Sequence, residues 1–203
     1  MAETAAMRVV LLPGAAGAGR FWTPLVRLLP QDWVTHALDW PGLGDVPASP
    51  DVNAFDDLVR LTLTVLEGPA DLVAQSMGGV VAIRVALERP DLVRRLVLIA
   101  TSGGIDVGAL GASDWRPNYV RQFPAAPRWI VEQRPDLTDR LTGVRAPALL
   151  IWGDADPISP LAVGRRLATL LPEARLVIVP GGDHALARDR PADVAPHVVS
   201  HLG

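Results

Sequence analysis

The sequence predicts an α/β protein: a doubly wound, mainly parallel sheet of about six strands, with a short insertion over one edge. Three observations carry this. Six short apolar runs recur along the 203 residues, segments of helical length separate them, and Gly or Pro punctuates most junctions. Runs this short and this apolar suit strands covered on both faces, because a one-sided sheet would alternate apolar with polar residues.

The elements follow in order. Met7–Leu12 is apolar apart from Arg8 and stops at Pro13-Gly14. Phe21–Leu29 has helical length, Trp33–Leu38 reads as the second strand, and Ala54–Leu66 reads as a helix. The third strand, Ala70–Ala74, runs into a helix over Met77–Glu88 with only Gln75 and Ser76 between them. Arg95–Ala100 and Ala148–Trp152 are the most apolar runs. Leu161–Leu171 is helical and stops at Pro172, Ala174–Val179 is the last strand, and Ala192–Leu202 is a terminal helix opened by Pro191. The chain, residues 1–203, reads as one domain.

One stretch breaks the alternation. Residues from Gly103 to about Arg145 hold Trp115, Tyr119, Phe123 and Trp129 among four prolines, with no clear strand. A connection of about 40 residues is long enough to carry function, and clustered aromatics are costly to leave exposed. The expectation is an insertion over the carboxyl edge of the sheet with one or two short helices.

Composition narrows the chemistry. The chain has no cysteine, and all 19 of its basic residues are arginine. A thiolate nucleophile, a disulfide, a thiolate metal site, a Schiff-base lysine and a Walker A lysine are all excluded. A nucleophile must be an oxygen or an imidazole. The net charge is −3, and the 19 arginines are scattered among 22 acids. No basic face for phosphates is expected, hence no nucleic-acid partner. Residues 1–6 carry Glu3 where a signal peptide would be basic, and no apolar stretch reaches the length of a membrane span. A soluble, cytoplasmic chain with no membrane partner is expected.

The most informative segment is Asp71-Leu72-Val73-Ala74-Gln75-Ser76-Met77-Gly78-Gly79. A serine on a tight strand-to-helix turn needs small neighbours, here Ala74 and Gly78, because strand and helix approach closely there. The new helix brings unpaired amides and the positive end of its dipole. A serine before a helix taken alone would be a cap. Following an apolar strand and preceding Gly78-Gly79, it reads as a nucleophile.

This segment matches the G-x-S-x-G elbow with Ala74 in place of the first glycine. Other segments arrive in a matching order. Leu11-Leu12-Pro13-Gly14-Ala15 is followed by Trp22-Thr23-Pro24-Leu25. Asp39-Trp40-Pro41-Gly42-Leu43-Gly44-Asp45 comes next. Leu149-Leu150-Ile151-Trp152-Gly153-Asp154-Ala155-Asp156 ends a strand, and Pro180-Gly181-Gly182-Asp183-His184 follows the last one. From Val9 to Leu202 the chain resembles the α/β-hydrolase fold superfamily, in its esterase-like serine hydrolases.

The resemblance implies a Ser76, Asp156 and His184 triad, with backbone N–H groups of Ala15 and Met77 as the oxyanion hole. His184 also follows the last apolar strand, which puts it at the carboxyl edge. Asp154 and Asp156 both follow Ala148–Trp152, and the family's spacing after the glycine favours Asp156. Asp183, adjacent to His184, is poorly placed. His36 lies inside a strand pattern. His197 and His201 are four apart on a helix without the glutamate of H-E-x-x-H, so a solvated face is expected rather than zinc. Pro13 stands where many relatives have histidine, and Gln75 stands where a histidine is common. The short start implies six strands rather than eight.

The implied function is hydrolysis of a small ester, thioester or related acyl compound through an acyl-serine intermediate. No metal or organic cofactor is implied. Phe21, Trp22, Trp115, Tyr119 and Trp129 are candidates to line the pocket for a small-molecule acyl substrate. The same triad could serve a lyase or an acyltransferase. A non-catalytic receptor is a further alternative. A dinucleotide site is another, because Gly14-Ala15-Ala16-Gly17-Ala18-Gly19 follows a strand and Asp39 follows the next. Its spacing is not G-x-G-x-x-G.

Overall fold

A computed structural model describes residues 6–203; the signal-peptide reading of residues 1–6 lies, but for Ala6, outside the described residues. The strands are β1 (Arg8–Leu12), β2 (Val34–Ala37), β3 (Ala70–Gln75), β4 (Val93–Ile99), β5 (Ala148–Gly153) and β6 (Ala174–Val179). They form one sheet in the order β2-β1-β3-β4-β5-β6, and every neighbouring pair is parallel. The helices are α1 (Thr23–Val26), α2 (Phe55–Val65), α3 (Met77–Glu88), α4 (Arg116–Gln122), α5 (Trp129–Glu132), α6 (Leu161–Leu170), α7 (Leu186–Asp189) and α8 (Pro191–Leu202).

Side chains alternate across the sheet with period two. Leu12, Leu72, Leu96 and Leu150 face one core with α2, α3 and α6. Val9, Leu11, Val73, Val97 and Leu149 face the other with α1, α7 and α8. The inner strands β1, β3 and β5 are almost wholly buried, as their apolar runs require, whereas edge strand β2 alternates and edge strand β6 is only partly buried. Among the described residues no helix is long and apolar enough to cross a membrane.

One expected helix differs. Phe21–Leu29 is not continuous: a 3-10 turn over Gly19–Trp22 leads into the single α-turn of α1. Prolines are the cause. Pro24 belongs in the first helical turn, because it has no N–H and clashes with the turn before it. Pro30 drives Leu29 away from helical angles, so little room remains between them. The Gly103–Arg145 stretch has no strand. It holds α4, α5 and 3-10 turns at Gly108–Leu110 and Thr138–Gly143.

The topology locates a crevice. From β1 the chain crosses to β2 on one side and returns to β3 on the other. Connections leaving β1 and β3 therefore diverge at their carboxyl ends, where open α/β sheets bind ligands. Close packing there depends on Gly78, where a Cβ would stand 2.5 Å from the carbonyl oxygens of both Leu12 and Pro13. Gly78→Ala is expected to lower stability by about 1–3 kcal/mol, read as a lower urea midpoint. Gly68→Ala, which meets nothing within 4 Å, should stay within about 0.5 kcal/mol of wild type.

Candidate active site

Ser76 occupies the corner between β3 and α3 with φ +53° and ψ −123°. Among the described residues only it and Ala100 combine a side chain with positive φ. Such a conformation costs about 1–3 kcal/mol and persists only when its surroundings hold it. Here the Ser76 N–H donates to Ile99 O at 3.0 Å, and the Gly79 N–H donates to Ser76 O at 3.0 Å. Gly79 has no room for a Cβ, which would stand 2.5 Å from the Thr101 hydroxyl.

Two loops meet the serine. His184 Nε2 lies 3.0 Å from Ser76 Oγ, and His184 Nδ1 lies 2.8 Å from Asp156 Oδ2. With Nδ1–H donating to the carboxylate, Nε2 is left as the acceptor for the hydroxyl. The Asp156 side chain is fully buried, while His184 keeps about a fifth of its surface exposed. Asp156 Oδ1 accepts the amides of Ile158 at 2.8 Å and Ser159 at 3.0 Å, which fixes the carboxylate plane. The alternative acids are engaged elsewhere. Asp154 accepts the Gly181 amide at 2.6 Å, and Asp183 accepts the His184 amide at 2.6 Å.

The other histidines stand apart. His36 is exposed on edge strand β2. His197 and His201 lie on α8, and among the described residues no group of three His, Cys, Asp or Glu could hold a metal ion. His201 corrects the expectation of a solvated face: it is half-buried, and burial holds its imidazole below the usual histidine value.

Ala15 and Met77 sit at the ends of β1 and β3. Among the described residues neither backbone N–H has a protein acceptor. A Cβ on Gly14 would stand 3.1 Å from Ser76 Cβ, so the first loop presses directly on the corner. Three residues that sequence reasoning left unassigned or misplaced hold this region. The Trp40 indole N–H donates to Pro13 O at 2.7 Å, Gln75 Nε2 donates to His184 O at 3.1 Å, and the Tyr119 hydroxyl donates to Ala15 O at 2.9 Å.

A cavity of about 590 Å³ opens above Ser76, Met77 and His184. Its apolar wall includes Phe55, Val80, Ile105, Trp115, Trp129 and Ile158, and charged residues such as Asp106, Arg134 and Asp136 border it. Of the five aromatic candidates, Trp115 and Trp129 line this cavity. The other three do not. Trp22 is fully buried in the core on the α1 and α8 face. Phe21 packs edge-on against Trp22 at 5.0 Å beneath the Arg188 guanidinium. Tyr119 is buried against the first loop. A helical pattern does not say which side of a turn faces the sheet, and these three face protein.

The glycine-rich loop does not offer a dinucleotide cradle. Asp39, the residue needed for a ribose, accepts the Gly19 amide at 2.7 Å. Gly17 and Gly44 are taken up by contacts between this loop and the Trp40–Asp45 loop, where a Cβ on Gly17 would stand 2.6 Å from Leu43 O. No long helix follows to supply a pyrophosphate site.

Comparisons with known proteins agree with the fold. The model of the alpha/beta hydrolase family matches residues 9–197. A pimeloyl-[acyl-carrier protein] methyl ester esterase of Neisseria meningitidis is 29% identical, over 89% of this chain and 88% of its own. An uncharacterized hydrolase of Bacillus subtilis is 26% identical over 96% and 89%. Among solved structures, a hydrolase from Pseudomonas aeruginosa superposes with a TM-score of 0.78 at 20% identity, covering 99% of this chain and 91% of that one. Carboxylesterase CesB of Bacillus subtilis gives 0.76 at 20% identity, covering 98% and 85%.

The Trp40 bond can be tested by deletion. Trp40 is fully buried, so Trp40→Phe would leave Pro13 O without a partner. Stability is expected to fall by about 1–3 kcal/mol, measured by chemical denaturation.

Proposed function

The chain belongs to the alpha/beta hydrolase family, and we propose that it hydrolyses a small ester, thioester or related acyl compound through an acyl-serine intermediate. Ser76 Oγ attacks the acyl carbon while His184 Nε2 takes its proton. The resulting imidazolium is stabilised by Asp156, which holds the ring in the required tautomer. The amides of Ala15 and Met77 receive the developing oxyanion. His184 returns the proton to the leaving group, the C–O or C–S bond breaks, and water activated by the same histidine cleaves the acyl-serine.

The observation that carries this reading is the unbroken relay from Asp156 through His184 to Ser76, at 2.8 and 3.0 Å, opening into a cavity. The relatives named as esterases point the same way on substrate class. Hydrolysis is favoured over acyl transfer by the cavity's border. Asp106, Arg134 and Asp136 are exposed, so water has access to an acyl-serine. The apolar wall suits an acyl chain, and no metal or organic cofactor takes part.

A fluorophosphonate probe followed by mass spectrometry should label Ser76. Failure to label a folded sample would remove the acyl-serine mechanism. Ser76→Ala should lower turnover of p-nitrophenyl acetate by about 10⁴-fold or more with the fold intact. Asp156→Asn should lower kcat by a similar order, about 10³–10⁴-fold, by favouring the wrong imidazole tautomer. Asp154→Asn should leave kcat within about one order of magnitude of wild type, since among the described residues its carboxylate hydrogen-bonds only the Gly181 amide. Equal losses in the two asparagine variants would sink the assignment of the acid.

A further inference from the structure

Tyr119 is the chain's single tyrosine and lies on α4, in the stretch between β4 and β5. It comes from the segment that covers the cavity, but its hydroxyl is spent elsewhere. The hydroxyl donates to Ala15 O at 2.9 Å and accepts the Gly44 N–H at 3.2 Å. The side chain is buried, with Trp115 edge-on at 5.4 Å and Phe123 tilted at 5.0 Å.

The first loop needs such an anchor for a local reason. The Ala15 N–H belongs to the peptide that joins Gly14 to Ala15. A side chain on Gly14 would have to displace the Gln75 amide, which a Cβ would meet at 2.5 Å, and would press on Ser76 Cβ at 3.1 Å. The residue beside the nucleophile is therefore the least restrained type in its backbone angles. Restraint has to come from hydrogen bonds to the carbonyls of this peptide and its two neighbours. Upstream, Pro13 O is held by Trp40. The Gly14 carbonyl is held by the Gly17 N–H at 3.0 Å, and downstream Ala15 O is held by Tyr119. Of these three holds, only the last comes from the covering segment.

We infer that Tyr119 is a positioning residue for the oxyanion loop: through Ala15 O and the Gly44 N–H it sets the direction of the Ala15 N–H. Placement of the segment between β4 and β5 is thereby coupled to stabilisation of the transition state. The inference rests on the hydrolytic reading given above. Burial pushes the Tyr119 phenol above its usual value, so the hydroxyl remains a donor throughout the range in which a histidine base works.

The test is Tyr119→Phe, which deletes the hydroxyl and keeps the ring against Trp115 and Phe123. With p-nitrophenyl acetate, kcat should fall by about three- to thirtyfold, because one oxyanion donor is misaligned rather than removed. KM should stay within about twofold, and the histidine limb of the kcat/KM pH profile should not move. The rate of fluorophosphonate labelling at Ser76 should fall with kcat, since phosphonylation uses the same oxyanion donors. Phe123→Leu is the control: it loosens the same packing but keeps the hydroxyl, so kcat should stay within about twofold even if the thermal midpoint drops. Wild-type kcat and labelling in Tyr119→Phe would overturn the inference. So would equal kcat losses in both variants, which would assign the effect to packing. A wild-type protein that neither labels nor hydrolyses would instead overturn the underlying hydrolytic reading, and this inference with it.

Discussion

The backbone of Ser76 is the constraint around which the carboxyl edge is built. A serine at φ +53° gives up about 1–3 kcal/mol relative to an ordinary turn. Its own bonds to Ile99 and Gly79 hold it only in part. The rest is a matter of space. Gly14 from the first loop, together with Gly78 and Gly79 from α3, lies where a methyl group would collide with a neighbouring segment. Each collision would push a segment off the corner, and the serine could then relax to a common conformation with its hydroxyl elsewhere. The glycines act by letting three pieces of backbone crowd one residue.

That crowding would be useless without a relay of matching rigidity. Asp156 and His184 follow the ends of β5 and β6, and Asp154 helps bring those ends together. Its carboxylate receives the Gly181 amide, while the Ala155 amide bonds Gly182 O at 3.0 Å. Gly153 and Gly182 sit so close that a Cβ on Gly182 would stand 2.9 Å from Gly153 Cα. The loop carrying His184 is thus stitched to the loop carrying Asp156 before the two side chains meet. Gln75 then ties the His184 backbone to the end of β3, one residue from Ser76. A histidine held at both backbone and ring has little freedom to leave its hydrogen bonds, and orientation of this kind is worth several kcal/mol in a barrier.

The sequence made this frame legible because its signals are local. Six apolar runs became six strands, and Ala174–Val179 matches to the residue. The family's spacing after Gly153 favoured Asp156 over Asp154, and the hydrogen bonds give the two carboxylates different partners, His184 for Asp156 and the Gly181 amide for Asp154. Other features were not legible because they depend on which way a side chain turns. Trp22 and Tyr119 both sit in short helical or turn segments. One faces the core beneath the sheet and the other clamps a loop, and nothing in their neighbours' polarity distinguishes those outcomes from a place on a pocket wall. The break in the first helix was legible in principle, since Pro24 and Pro30 stand six residues apart. Between them only a single α-turn fits.

Pro13 shows how a departure from a family pattern is absorbed. A histidine at that position has a side chain and an N–H with which to organise the loop. Proline has neither a polar side chain nor an N–H; only its carbonyl remains. The loop can then be organised only by a donor brought from outside, and the Trp40 indole, fully buried beneath it, is that donor. A second carbonyl two residues on is met by a second outside donor, the Tyr119 hydroxyl. The polar work has moved from the loop's own side chains to aromatic N–H and O–H groups on neighbouring segments. Those segments, the Trp40–Asp45 loop and α4, are also packed on each other through Tyr119 and Gly44. The geometry of the first loop therefore depends on the placement of both, and a change in either would be felt at Gly14, which lies against Ser76.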